Sequence, residues 1–349
     1  MNETSTGAAS DTLLDVRGLK TEFATSAGRV AAVRDVSFTI RRRQRLAVVG
    51  ESGSGKSAMA MSIVGLVQPP GRVTGGEILL DGRNLRGMPD KELSTVRGRR
   101  ISLVFQDPMS AFDPIRTIGA QLTESIRAHQ SVNRRIARRQ AVDLLGEVGV
   151  VDAARRLSDY PHQYSGGMRQ RVLIAMALAN SPELVIADEP TTALDVTTQA
   201  QVLELLDRLV TDRGAALMLI THNLGIVAGF CDSVKVMYAG QLIEESRSAD
   251  LFRSAAHPYS RELLKCVLRT DQRQEGPLST IPGALPDPTK PFRGCSFEPR
   301  CPLGKGEERC RSTEPALIEV SVPDGRPGGS GRRLTKCHFA GAHQLEEAK

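Results

Sequence analysis

The chain has 349 residues, of which 40% are hydrophobic, 25% charged and 4% aromatic, with no Trp. That apolar share supports a packed core and excludes disorder for the bulk of the chain, and the length suggests about two domains. A net charge of +6 is too small an excess to argue for nucleic acid by itself.

Residues 1–11 are polar and Ser/Thr/Gly/Ala-rich and are expected to form a flexible tail. They lack a charged n-region and an apolar h-region, so secretion is not expected. No stretch approaches the roughly 18 uninterrupted apolar residues of a spanning helix, and the expectation is a soluble intracellular chain. From Leu13 to Ile40, β-type runs between turn residues predict an antiparallel layer. Arg45–Gly50 (RLAVVG) predicts a short buried strand, followed by a helix over 58–67 that Pro69-Pro70-Gly71 would stop. Between about 107 and 179 the period is helical, with Ile118, Leu122, Ile126, Leu144 and Leu145 as apolar positions. Two apolar strands, Leu184–Ala187 and Ala216–Ile220, flank a helix near Gln199–Leu209, the pattern of a parallel sheet covered on both faces. Beyond about Ser254, Pro, Gly and Cys become dense, which places a boundary near 250–260. The expected division is a main domain over 12–254, helical over about 107–179, and a C-terminal extension over 255–349.

Gly50-Glu51-Ser52-Gly53-Ser54-Gly55-Lys56-Ser57 matches G-x-x-x-x-G-K-[ST], between an apolar strand and a helix that Ala58 continues. Glycines let backbone N–H groups curl around phosphate oxygens, and the helix start adds positive potential. Lys56 is expected on the β- and γ-phosphates and Ser57 on Mg²⁺. Leu184–Ala187 runs into Asp188 and Glu189. Asp188 is a candidate Mg²⁺ partner, and Glu189 is a candidate general base for the attacking water. His222 ends the run ALMLITH, either as a structural residue or near the γ-phosphate. Gln106 follows Ile101–Phe105, either as a polar cap or as a side chain reaching metal and water.

Tyr164-Ser165-Gly166-Gly167-Met168-Arg169-Gln170-Arg171 resembles the signature motif of ABC-type ATPases, with Met168 where many members carry Gln. Gln106 then corresponds to the Q-loop, Thr192-Ala193-Leu194-Asp195 to the D-loop and His222 to the switch histidine, over about residues 12–250. The resemblance implies an α/β ABC-type nucleotide-binding domain with a RecA-like parallel sheet core, an antiparallel β layer and a helical subdomain. It implies ATP and Mg²⁺ as ligands, the metal held through Ser57, Gln106 and Asp188. It also implies that Ser165, Gly166, Gly167 and Met168 serve a nucleotide bound mainly by a partner subunit. Phe23 matches the aromatic that the family stacks on adenine, although a buried strand Phe would look the same.

Cys295, Cys301, Cys310 and Cys337 follow the spacing C-x5-C-x8-C-x26-C, which from the residues alone leaves an iron–sulfur cluster, zinc and reduced thiols open. Cys231 and Cys266 lie outside the pattern and are expected to be buried apolar fillers. The segments His257–Leu264, Ile281–Gly283 and Gly294–Pro302 resemble the C-terminal extension of oligopeptide/dipeptide importer ATPases. That resemblance implies a [4Fe–4S] cluster on the four cysteines, a sister ATPase subunit, two transmembrane permease subunits and an extracytoplasmic peptide-binding protein. The chain would sit peripherally on the cytoplasmic face of the membrane and power peptide uptake. Pro108–Pro114 is expected to offer exposed apolar side chains for docking, or else to be a turn with a core Phe. The same architecture serves nickel and other small solutes. The other class is a soluble ABC ATPase acting on nucleic acid, suggested by Arg134-Arg135-Ile136-Ala137-Arg138-Arg139, a run more simply a solvated helix face.

Overall fold

A computed structural model describes residues 11–192, 194–266, 281–290, 292–320 and 333–340; the expected tail, apart from Asp11, lies outside them. Two long strands, β1 (Thr12–Thr25) and β2 (Gly28–Arg41), pair antiparallel as the alternation of the sequence requires. β1 also pairs with β4 (Gly71–Leu80), and β5 (Arg83–Asn84) completes a sheet of order β2-β1-β4-β5. Between them the chain enters the main sheet as β3 (Arg45–Val49) and turns into α1 (Lys56–Ile63).

The main sheet takes β6 (Ile101–Val104), β7 (Leu184–Asp188), β8 (Ala216–Thr221), β9 (Ser233–Tyr238) and β10 (Gln241–Arg247). β6, β7, β8, β3 and β9 run parallel side by side, with β10 antiparallel beyond β9. Both faces are covered, and the pleat divides the side chains between two cores. Leu46 and Val48 of β3, with Ile186 and Met218, face the antiparallel sheet and α1. Ala47 and Val49, with Val185, Ala187, Leu217 and Leu219, face the helices. Across the sheet boundary Arg42 and Arg100 each bridge Asp81 and Glu183, a partly exposed four-charge network.

α1 is shorter than expected. It stops at Ile63, well before the prolines, where Gly65 adopts a left-handed φ of 66°. Arg97, just beyond α2 (Asp90–Val96), supplies the end: its guanidinium donates to Val64 O at 2.8 Å and to Gly65 O at 2.6 Å.

The helical stretch holds α3 (Pro108–Ala111), α4 (Ile118–His129), α5 (Arg134–Glu147), α6 (Ala153–Arg156) and α7 (Gly166–Leu178). The five apolar positions read from the sequence there are all buried. Phe112 is a core residue, the alternative that the sequence left open for this stretch, and just beyond it Ile115 is 82% exposed. On α5 the four arginines are exposed and Ala137 is buried, the solvated face that the sequence favours.

After β7 the chain forms α8 (Val196–Asp212), longer than expected at both ends, then α9 (Leu224–Phe230), α10 (Ser248–Arg253) and α11 (Pro258–Lys265). The last described elements are α12 (Glu308–Ser312), β11 (Ile318–Glu319) and β12 (Leu334–Thr335), and β12 pairs with β10 in the main sheet. Cys231 is buried as expected, whereas Cys266 ends α11 and is half-exposed, because helix α11 turns that end outward.

Leu219 lies in β8 between β3 and β7 and is fully buried. Leu219→Ala should lower stability by about 2–5 kcal/mol, read as the shift of a denaturant midpoint. A shift worth less than about 1 kcal/mol would place Leu219 outside a packed core.

Candidate active site

The loop of residues 50–55 leaves β3 between β8 and β9. Its glycines are demanded by backbone contact. A Cβ on Gly50 (φ 157°) would lie 2.2 Å from Met237 O, and one on Gly55 (φ 102°) 2.2 Å from Ala32 O. No side chain caps α1 at Gly55, so its first-turn donors are left for an anion. Lys56 opens the helix, buried, and its ammonium donates to Gly50 O and Glu51 O, each at 2.9 Å. Burial pulls the Lys56 pKa down, against the carboxylates of Glu189, Asp188 and Glu51, which hold the charge.

Opposite stands the end of β7. Asp188 is buried, and burial raises its pKa against the opposing pulls of the Ser57 hydroxyl and Lys56. Its Oδ1 has no hydrogen-bond partner among the described residues. An orphaned buried carboxylate oxygen beside a serine hydroxyl suits a divalent cation. Glu189 follows with φ of 45°, a conformation that side chains of its size rarely adopt and that clusters at functional sites. Its carboxylate accepts from Gln106 Nε2 at 3.0 Å and from Thr192 Oγ1 at 2.8 Å, and lies 3.3 Å from His222 Nδ1.

Most of these groups line one cavity of about 690 Å³, although buried Asp188 is not among its lining residues. Ser52, Gly53, Gly55, Lys56, Ser57, Ala58, Gln106, Glu189 and His222 line it, as the sequence suggested, and so do Ala32 and Thr192. The other expected residues lie elsewhere. Gly50 and buried Ser54 form the back of the loop, and Glu51 points its carboxylate to Arg300. Phe23, half-buried in β1, packs its ring over Gly71 and does not line the cavity. Ser165 caps α7, accepting from Met168 N at 3.3 Å, so Gly166, Gly167 and Met168 form the first turn. Gly167 closes on Thr198, near Asp195, which caps α8 by accepting from Thr198 N at 3.0 Å. Ala193, between them in the D-loop motif, lies outside the described residues.

Sequence reasoning missed the floor beneath the loop. Tyr238, Tyr259 and Phe297 pack there tilted or edge-on, with ring centres 4.7–5.4 Å apart. Tyr259 Oη accepts the Glu51 N–H at 2.8 Å, and Arg300 forks onto the Glu51 carboxylate. In a chain so poor in aromatics, the Tyr of HPYS and the Phe of GCSF were the available signal.

The four clustered cysteines converge. Cys295 N donates to Cys310 O at 2.8 Å, and the face of Gly304 lies against both the Cys310 and Cys301 sulfurs. Burial first, then the neighbouring thiols, push Cys295 up to about 11 and Cys337 up to about 12. Among the described residues no group of three or more His, Cys, Asp or Glu is arranged to hold a metal ion, so the expected four-cysteine metal site is not a formed one here.

The geometry is that of a nucleotide-hydrolysing cassette, and comparison with known proteins agrees. The "ABC transporter" family model matches residues 33–192, and "Oligopeptide/dipeptide transporter, C-terminal region" matches 243–310. The chain is 45% identical over 317 residues to the oligopeptide transport ATP-binding protein OppD of Salmonella typhimurium, covering 90% of this chain and 93% of that one. It is 42% identical over 327 residues to the dipeptide transport ATP-binding protein DppD of Escherichia coli, covering 94% and 96%. Among solved structures, the dimeric cassette MJ0796 in a post-hydrolysis state with ADP and Pi superposes with a TM-score of 0.61 at 27% identity, over 67% of this chain and 98% of that one. The chain belongs to the ABC transporter ATP-binding proteins, in their oligopeptide/dipeptide branch.

Lys56→Ala should weaken ATP binding by at least about tenfold in an equilibrium titration with a fluorescent ATP analogue, since a buried cation facing phosphate contributes to ground-state affinity. Unchanged affinity would remove the lysine from the site.

Proposed function

We propose that this chain binds and hydrolyses ATP to power the uptake of di- and oligopeptides across the cell membrane. The observation that carries this is Glu189, strained at the end of β7 and held by Gln106, Thr192 and His222 over the phosphate-binding loop. In this reading the loop backbone and Lys56 take the phosphates, Glu189 accepts a proton from the attacking water, and His222 and Gln106 orient both. Mg²⁺, which would supply charge neutralisation at the phosphates, would be held by Ser57, Asp188 and Gln106. Phe23, which lies outside the cavity that takes the phosphates, would stack on an adenine reaching beyond it.

Ser165, Gly166, Gly167 and Met168 lie outside the cavity, at the uncharged start of a 13-residue helix. Such a turn presents donors to an anion, and we assign it, with the D-loop Asp195, to the nucleotide of an opposing ATPase subunit. That the similar MJ0796 cassette is dimeric supports a two-subunit site. We propose a sister ABC ATPase as that partner, with two transmembrane permease subunits and an extracytoplasmic peptide-binding protein. No described helix is long and apolar enough to cross a membrane, in keeping with a peripheral place on its cytoplasmic face. Residues 12–254 would form the ATPase domain, its helical subdomain at about 107–179, and residues 255–349 the small Cys-rich extension.

Glu189→Gln in the membrane-assembled complex should leave ATP binding within a few-fold and cut turnover by about 100-fold or more, because volume is kept and the base removed. Parental turnover would overturn the assignment of the base. Peptide-loaded binding protein should stimulate the parent complex; stimulation by a nickel-loaded one instead would change the cargo.

We further assign the four converging cysteines to a [4Fe–4S] cluster, which would bind as a structural group on Cys295, Cys301, Cys310 and Cys337. Cys301, Cys310 and Cys337 are buried and Cys295 half-buried, with the Cys310 and Cys301 sulfurs sharing the face of Gly304, and this convergence supports the reading. Anaerobically purified protein should carry about four irons per chain, and Cys301→Ser should lose them while ATP binding persists. One zinc and no iron would replace the cluster, and no metal would leave four thiols.

A further inference from the structure

Glu51 is an awkward residue for a loop that receives a polyanion. It lies between the glycine that leaves β3 and the lysine that opens α1, and its carboxylate is among the charges felt at Lys56. Left unpaired, it would repel phosphate and compete for the lysine. The structure removes it from both roles. Arg300 Nη1 donates to Glu51 Oε2 at 2.7 Å and Nη2 to Oε1 at 3.1 Å, the bidentate fork that fits a carboxylate best. The Arg300 side chain is only 4% exposed and Glu51 27%, so water screens the pair weakly. Arg300 is itself fixed, donating to Pro282 O at 2.9 Å and Ile281 O at 3.0 Å. Tyr259 holds the other end of Glu51, its phenol oxygen accepting the backbone N–H.

We propose that Arg300 is a positioning residue for the phosphate-binding loop: it draws the Glu51 carboxylate away from the phosphate cradle, so that ATP affinity depends on a contact made by the C-terminal segment. The proposal rests on the nucleotide-binding reading of that loop. Its effect is electrostatic and passes through Glu51. A merely structural Arg300 would weaken binding whatever stood at position 51.

The test measures ATP affinity of the full-length chain with a fluorescent ATP analogue, placing Arg300→Met in the parent and in a Glu51→Gln background. Arg300→Met keeps the stem and removes the charge. It should weaken binding by about tenfold in the parent, and by less than about twofold in the Glu51→Gln background, where no carboxylate is left to restrain. An equal loss in both backgrounds, or no loss in the parent, overturns the proposal. If Arg300→Met does not fold, Arg300→Lys in the same two backgrounds carries the test, since it keeps the charge and gives up the fork. A loss confined to the parent supports the proposal, and an equal loss overturns it. A parent chain that binds no ATP, alone or with Lys56→Ala for comparison, would defeat the nucleotide reading itself, an outcome distinct from either.

Discussion

The site depends on a close contact between backbones. Gly50 and Gly55 bring the loop so near the carbonyls of Met237 and Ala32 that no side chain fits between them. This fixes the loop against β9 on one side and β2 on the other, and leaves its free face toward β7 and β8. Because β3 sits between β8 and β9, every functional group arises at the carboxyl end of a neighbouring parallel strand: Gln106 after β6, Asp188 and Glu189 at β7, His222 after β8. Ligands of open parallel sheets bind at such an edge. The sheet thus determines the chemistry by determining which side chains reach the loop.

Such a site is costly to stability. A lysine is kept charged in a buried place, an aspartate oxygen has no partner among the described residues, and a glutamate is held in a left-handed conformation. Each would be relieved by a ligand or by substitution. Strain and unmatched charge persist where the surrounding packing over-determines them. Here that packing is two apolar cores on opposite faces of one sheet, joined at the edge by the charges of Arg42, Arg100, Asp81 and Glu183.

The loop and the strand ending in Asp188-Glu189 were legible in the sequence because local patterns dictate them: glycines for forbidden backbone angles, an apolar run for a strand buried on both faces. The helical apolar positions were legible for the same reason. What was not legible is settled at a distance. The end of α1 is set by the guanidinium of Arg97 and a left-handed Gly65, which periodicity cannot show, and the prolines beyond were a false stop. Between an exposed and a core Phe112 the sequence could not choose, because burial there depends on how α3 lies against α7. The strands β4, β9 and β10 each carry a pairing to a remote partner, β1, β3 and β12, that no local pattern shows. Arg300 and Tyr259 stand in segments that the sequence singled out, but their role was not legible there, since it lies in Glu51, some two hundred residues earlier in the chain.

That separation bears on how the molecule is made. Arg45 pairs with Leu217 and Leu46 with Ser233, so the strand that launches the nucleotide loop has no partner until the second half of the chain exists. The floor beneath the loop waits longer, for Phe297 and Arg300. A nascent chain leaving the ribosome therefore carries β3 without strand partners until β8 and β9 have been made, and long-range parallel pairing is slow. Nucleotide can stabilise the completed loop and its floor only once the residues near 300 have been made.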